Sequence, residues 1–163
     1  MSRSSALKIV CCAALAVLLA VVILFVSSTP REESHFRGVQ WGAAAGSQQG
    51  LEQVAQDGTL TFYSRKGEEL QVENIPVERI VYGFYKDRFY SALVYFRTEE
   101  SMARFKEAMR RRYGDPVQTE PGQERFFWNT NSLSVLLNYD PATQSGRFSC
   151  FFKPIQIEAE LNP

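Results

Sequence analysis

The chain has 163 residues, of which 18 are basic and 18 acidic, with one His and three Cys. This length allows one domain, or one domain with a targeting segment. A formal net charge of zero argues against a nucleic-acid-binding protein, because such proteins carry a basic surface. An aromatic content of 13% argues against intrinsic disorder, because aromatic side chains supply a core.

The first element is an uninterrupted apolar segment, residues 9–26. As a helix rising ~1.5 Å per residue it would be about 27 Å long, close to the ~30 Å hydrocarbon core of a bilayer. We therefore predict an uncleaved N-terminal transmembrane helix within residues 1–28, with the lipid bilayer as its partner. A cleaved signal sequence remains the alternative, although its apolar region is usually shorter, roughly 7–15 residues.

Basic residues beside the apolar segment predict its orientation. Arg3, Lys8 and the α-amine precede the segment, whereas Arg31 alone follows it closely. Because Lys and Arg favour the cytoplasmic side, we expect a cytoplasmic N-terminus. In a bacterium this gives a single-pass inner-membrane protein with a periplasmic domain. If the segment is cleaved, the domain is instead secreted to the periplasm.

The rest of the chain predicts one domain. Residues 29–35 are a polar linker, residues 36–155 contain nearly all the aromatic side chains, and residues 156–163 are expected to be a tail. Cys150 is the only cysteine of this domain, so we expect a small buried hydrophobe and no disulfide within the domain. The first clear strand signal is the β-prone segment Thr59–Arg65.

A hairpin is predicted next, with strands Glu78–Tyr85 and Arg88–Phe96. A two-residue loop at positions 86 and 87 would connect them. Successive side chains of a strand face opposite sides of the sheet. The more apolar face is expected to lie on the core; it carries Ile80, Tyr82, Phe84, Phe89, Leu93 and Tyr95.

The opposite face of this hairpin is mixed, with more aromatic surface than a solvated face requires. We interpret Tyr85, Arg88 and Tyr90 on this face as a candidate surface for a partner, because tyrosine combines a large apolar ring with a hydroxyl that tolerates water. The alternative is that the domain's own segment Phe36–Trp41 covers the face.

One soluble helix is predicted over Thr98–Tyr113. Thr98 suits its N-cap, and Met102, Phe105 and Met109 recur at helical spacing on one side. Three further strands follow: Glu124–Trp128, Ser132–Tyr139 and Arg147–Lys153. Strands, one helix and more strands predict an α+β fold. We expect an antiparallel sheet of five or six strands, with one main helix on one face.

The sequence offers little that indicates catalysis. His35 is the only histidine and lies in the linker, without partners for acid–base chemistry or metal binding. Adjacent acidic pairs, such as Glu68 with Glu69, point in different directions on a strand or helix. We therefore predict no catalytic residue, no metal site and no cofactor.

The segment FRGVQWG, residues 36–42, resembles the F-x-G-(I/V)-x-W-G opening of a largely uncharacterised family of small exported bacterial envelope domains. An aromatic hairpin, a helix ending in YGDP at residues 113–116, and the segment LLNYD at residues 136–140 extend the similarity over residues 36–155. The resemblance implies export and a bacterial source, and it supplies no substrate or catalytic residue.

The expected function is that of a non-enzymatic, membrane-tethered periplasmic module that binds or scaffolds an envelope partner. Two alternatives remain open. One is an envelope hydrolase whose carboxylates are brought together only by the fold. The other is a carrier of a small apolar ligand.

Overall fold

The computed structural model describes residues 33–118, 120 and 122–162. Of these residues, 48% lie in strands and 21% in helices. The prediction of an α+β fold with five or six strands and one helix is therefore wrong, because the described chain is mostly β with an eight-stranded sheet and two helices. The predicted transmembrane helix, at residues 9–26, lies outside the described residues. Within the described part, no helix is long and apolar enough to cross a membrane.

The helices are α1 (Glu99–Tyr113) and α2 (Lys153–Leu161), and Ala45–Ser47 forms a single 3-10 turn. The strands are β1 (His35–Phe36), β2 (Val39–Gln40), β3 (Leu51–Asp57), β4 (Leu60–Arg65), β5 (Gln71–Val72), β6 (Ile75–Pro76), β7 (Arg79–Tyr85), β8 (Arg88–Phe96), β9 (Val117–Gln118), β10 (Arg125–Asn129), β11 (Leu133–Asp140) and β12 (Ser145–Phe152).

The large sheet is antiparallel throughout, with strand order β3-β4-β7-β8-β12-β11-β10-β9. Two small hairpins, β1–β2 and β5–β6, lie beside it. We call one face of the sheet the first face; it is covered by α1 and by residues 36–41. We call the other the second face; α2 covers one end of it.

Two elements account for most of the error in the predicted fold class. Strand β3 is an edge strand whose residues 52–57 are all exposed, so its sequence lacks the apolar alternation that indicates a half-buried strand. Helix α2 begins at Lys153, the last residue of a predicted strand, and continues through most of the predicted tail, residues 156–163. It buries only Ile155 and has too few turns to give a periodic apolar signal, although Pro154 suits its first turn.

The predicted hairpin β7–β8 is confirmed, with Lys86 and Asp87 as its two-residue loop. Their φ angles are 47° and 62°, the left-handed region that a type I′ turn requires at both positions. Asp87 helps to hold this strained turn, since its carboxylate accepts a hydrogen bond of 3.1 Å from the Ala45 N–H.

A β-bulge changes which side chains of β8 face the core. Gly83 pairs with Ser91 and Phe84 with Phe89, so Tyr90 is an extra residue opposite them. Beyond the bulge the alternation is reversed. The prediction for Ile80, Tyr82, Phe84 and Phe89 is confirmed, because all four are buried on the first face. The prediction for Leu93 and Tyr95 is wrong, because the core-facing positions beyond the bulge are Ala92, Val94 and Phe96.

The core lies between the first face and α1. The predicted apolar side of the helix is confirmed, with Met102, Phe105 and Met109 all buried. The Phe105 ring stacks on Phe148 of β12, with ring centroids 5.4 Å apart. Thr98 caps the helix as predicted, since its hydroxyl accepts a hydrogen bond from the Ser101 N–H at 3.1 Å.

The FRGVQWG segment completes this core. Trp41 stacks on Phe89 at a centroid distance of 4.5 Å, and Phe36 meets the edge of Tyr82 at 6.0 Å. Gly38 and Gly42 have φ angles of 82° and 84°, so they make the turns that bring the two aromatic side chains onto the sheet. In this protein the motif therefore has a structural role.

Candidate binding surface

Helix α2 covers one end of the second face. Tyr85, Tyr90 and Ile155 form a buried cluster there, separate from the main core. The structure thus brings the predicted partner residues together, but beneath α2. It is α2, and not the segment Phe36–Trp41, that lies over them.

Each of the three predicted partner residues has a contact with α2 or with the adjoining strand. The Tyr85 hydroxyl donates a hydrogen bond of 2.9 Å to the carbonyl of Asn162, and its side chain is fully buried. Arg88 forms a salt bridge with Glu158 and donates a hydrogen bond to its carboxylate, which lowers the pKa of the Glu158 carboxyl. Tyr90 packs on Phe151 of β12, and burial raises the pKa of its phenol. In this conformation a partner could reach Tyr85 and Tyr90 only if α2 moved away, whereas the Arg88 side chain stays 40% exposed.

A row of basic and polar side chains crosses the rest of the second face. We call it the cationic row; its members are successive partners on β7, β8, β12, β11 and β10, namely Arg79, Tyr95, Arg147, Asn138 and Arg125. The Arg79 guanidinium lies 4.3 Å from the centre of the Tyr95 ring. None of the three arginines forms a salt bridge with another described residue.

Two polar atoms of the cationic row are buried without a hydrogen-bond partner among the described residues: Nε of Arg147 and Oδ1 of Asn138. Buried polar atoms are normally paired, so unpaired ones call for an explanation such as bound water or a ligand. A cavity of about 410 Å³ opens beside these two residues and Arg125. The row therefore combines an unpaired donor and an unpaired acceptor with space next to them.

Two acidic residues, Glu124 and Asp140, also line this cavity. Glu124 forms no salt bridge with another described residue. The Asp140 carboxylate accepts hydrogen bonds from the Thr143 hydroxyl at 2.7 Å and from the Ala142 N–H at 2.9 Å. These bonds lower the pKa of Asp140. The carboxylate is thus held by its own loop and makes no salt bridge with Arg125 or Arg147 in the described structure.

An apolar row lies beside the cationic row, two residues further along each strand and therefore about 7 Å away. Its members are successive partners from β7 to β9, namely Val81, Leu93, Ser149, Leu136, Phe127 and Val117, and all except the buried Ser149 are apolar. Leu93, Leu136 and Phe127 are half-buried and belong to neither buried cluster. Val117, at the sheet edge, is 61% exposed.

The chemistry of these two rows suits binding. Arginine stays protonated at any physiological pH, so the three arginines of the cationic row cannot exchange protons in catalysis but can hold an anion. Within residues 33–162 as far as they are described, no three His, Cys, Asp or Glu side chains are placed to hold a metal ion. Cys150 is buried on the first face as predicted, and burial raises the pKa of its thiol.

No protein-family model, curated protein or solved structure matches this chain. The resemblance to exported bacterial envelope domains therefore stays a prediction from the sequence motif.

The cationic row could not have been found in the sequence. Its arginines lie on β7, β10 and β12, and only the strand register places them side by side. The bulge at Tyr90 is also required, because it turns the Tyr95 side chain to the second face and so into the cationic row. The sequence gives only a weak signal: Arg79 and Arg125 each occupy the second position of a predicted strand, and Arg147 occupies the first.

Proposed function

We propose that the protein is a non-enzymatic binding module that recognises an envelope partner through the cationic and apolar rows of its second face. The sequence supports a periplasmic location, with a tether to the bacterial inner membrane through residues 9–26. The observation that carries the proposal is the combination of three arginines lacking described acidic partners with half-buried apolar side chains beside them. Partly exposed apolar surface of this kind is typical of interaction sites.

An envelope hydrolase built from carboxylates has less support. Several acidic side chains are engaged in salt bridges: Glu33 and Glu73 both contact Arg112, at 2.6 and 2.9 Å. Glu68 contacts Arg37 at 2.8 Å and accepts a hydrogen bond from the Tyr82 hydroxyl. These contacts join loops to α1 and to the sheet, which is a structural role.

Site-specific photocrosslinking in native membranes tests the proposal. A photoreactive amino acid replaces Phe127 or Leu136 on the second face in the full chain, and Arg111 on the exposed side of α1 serves as the control. We expect a discrete adduct, of protein or lipid, at both second-face positions and none at Arg111. The adduct should weaken when Arg125→Glu is added. Equal labelling at all three positions, or no adduct, would contradict the proposal.

A further inference from the structure

We infer that the partner of the second face is an anionic phospholipid, with its phosphate on the cationic row and an acyl chain on the apolar row. This inference rests on the proposed function and names its ligand.

The charge of the cationic row fits a phosphate. Guanidinium groups donate paired hydrogen bonds to phosphate oxygens, and such charge-assisted bonds are short and strong. A phosphate above Arg147 and Arg125 would supply the acceptor that Nε of Arg147 lacks among the described residues. Neither Glu124 nor Asp140, which line the same cavity, forms a salt bridge with these arginines in the described structure, and the Asp140 carboxylate is bonded within its own loop.

Asn138 sets a second requirement for the ligand, a hydrogen-bond donor. Its buried Oδ1 atom is an acceptor that lacks a donor in the described structure. The phosphodiester of a lipid carries no proton and has nothing to donate there, whereas a hydroxyl of its headgroup does. A glycerol headgroup therefore satisfies both unpaired atoms of the cationic row, one by accepting and one by donating.

The apolar row requires a ligand with a hydrocarbon part. Neighbouring strands lie ~4.8 Å apart, so the five steps from β7 to β9 give a row about 24 Å long. A lipid chain spans half of the ~30 Å hydrocarbon core, or about 15 Å, and so fits within the row. Contact with the chain would remove Leu93, Leu136 and Phe127 from water. A free phosphate or a nucleic acid would leave these side chains uncovered.

Native mass spectrometry of the full chain in a neutral detergent tests this inference. The protein is titrated with dioleoylphosphatidylglycerol or with the zwitterionic dioleoylphosphatidylcholine. We expect one tightly bound phosphatidylglycerol, which Arg125→Gln combined with Arg147→Gln weakens by about tenfold or more. The matched control, Arg110→Gln with Arg111→Gln, removes two exposed arginines from α1 and should leave binding unchanged.

One further variant tests the apolar row, and another replaces the cationic-row variant if that variant does not fold. Leu136→Ser should weaken the binding of both lipids, because it removes apolar contact and leaves the charge unchanged. If Arg147→Gln unfolds the domain in a thermal melt, Arg79→Gln with Arg125→Gln replaces it, since both of these side chains are exposed.

Three results would overturn the inference. The first is an equal loss of phosphatidylglycerol affinity in the α1 control and in the cationic-row variant. The second is equal affinity for the two lipids. The third is that glycerol phosphate, which lacks an acyl chain, binds as tightly as phosphatidylglycerol. Photocrosslinking at Phe127 to a protein, without selective binding of phosphatidylglycerol, would also overturn it. In that last case the proposed binding function would stand.

Discussion

At the scale of single residues, a glycine of the large sheet makes room for an aromatic ring of the neighbouring strand. Gly146 of β12 lies opposite Phe96 of β8, and a Cβ atom on Gly146 would be 2.1 Å from the Phe96 ring. Phe96 cannot easily move, because it is buried between Phe105 and Tyr139 at centroid distances of 5.1 and 6.1 Å. Only a residue without a side chain fits at position 146.

Gly146→Ala is therefore expected to destabilise the domain. Forcing a methyl group into a filled core costs about 1–3 kcal/mol of unfolding free energy, which urea denaturation can measure. Gly46→Ala is the control: nothing lies within 4 Å of its added Cβ, so its effect should stay within about 0.5 kcal/mol. Equal effects of the two substitutions would show that the Phe96 ring has room to move.

At the scale of elements, α1 and α2 cover opposite faces of the sheet and were not equally predictable. Helix α1 has a capping threonine and a repeated apolar side, both of which are local signals in the sequence. Helix α2 has one buried residue, and its position depends on Tyr85 and Tyr90, which are distant in sequence. Sequence periodicity can reveal the first kind of element and not the second.

Helix α1 gives a direct comparison of a buried and an exposed side chain. Phe105→Ala removes a fully buried ring and should cost about 3–5 kcal/mol. Arg111→Ala removes an exposed side chain whose contact with Glu107 is 3.6 Å long, and should change stability by no more than about 0.5 kcal/mol. Denaturation midpoints of both variants provide the measurement. A larger loss for Arg111→Ala would mean that α1 presents its other side to the sheet.

Because Tyr85 is buried beneath α2, we expect its replacement to lower the stability of the domain. Tyr85→Ala would leave a cavity under α2 and should cost about 3–5 kcal/mol. Tyr85→Phe is the matched control, since it removes only the hydrogen bond to Asn162 and should cost about 1 kcal/mol. Hydrogen exchange of the α2 amides should rise in Tyr85→Ala. If Tyr85→Ala kept full stability, Tyr85 would instead be free for a partner.

The candidate surface shows where prediction from the sequence stops. Hairpin β7–β8 was located correctly, because its loop and flanking strands are adjacent in sequence. The faces beyond Tyr90 were assigned wrongly, because a one-residue bulge reverses the alternation and leaves no mark in the composition. The cationic row needs the register of five strands, and its arginines are far apart in the chain. Local features were therefore predictable, and the features that depend on register were not.

At the scale of the whole molecule, the predicted orientation is open to a simple test. A reporter that is active only in the periplasm, fused after residue 163, should be active in a bacterial host. The physical reason is the larger number of basic residues before the apolar segment 9–26 than after it. A reporter that is active only in the cytoplasm provides the control and should be silent. The reverse pattern would place the domain in the cytoplasm.

The strand order also divides the large sheet into two halves. Strands β3, β4, β7 and β8 pair in chain order, as do β9 to β12, and only the β8–β12 pairing joins the halves across α1. Closing a long loop costs more chain entropy than forming a hairpin, so each half can form quickly while the seam forms late. Contacts made late in folding affect the unfolding rate more than the folding rate. The β8–β12 seam is thus expected to control how long the folded domain persists once it has formed.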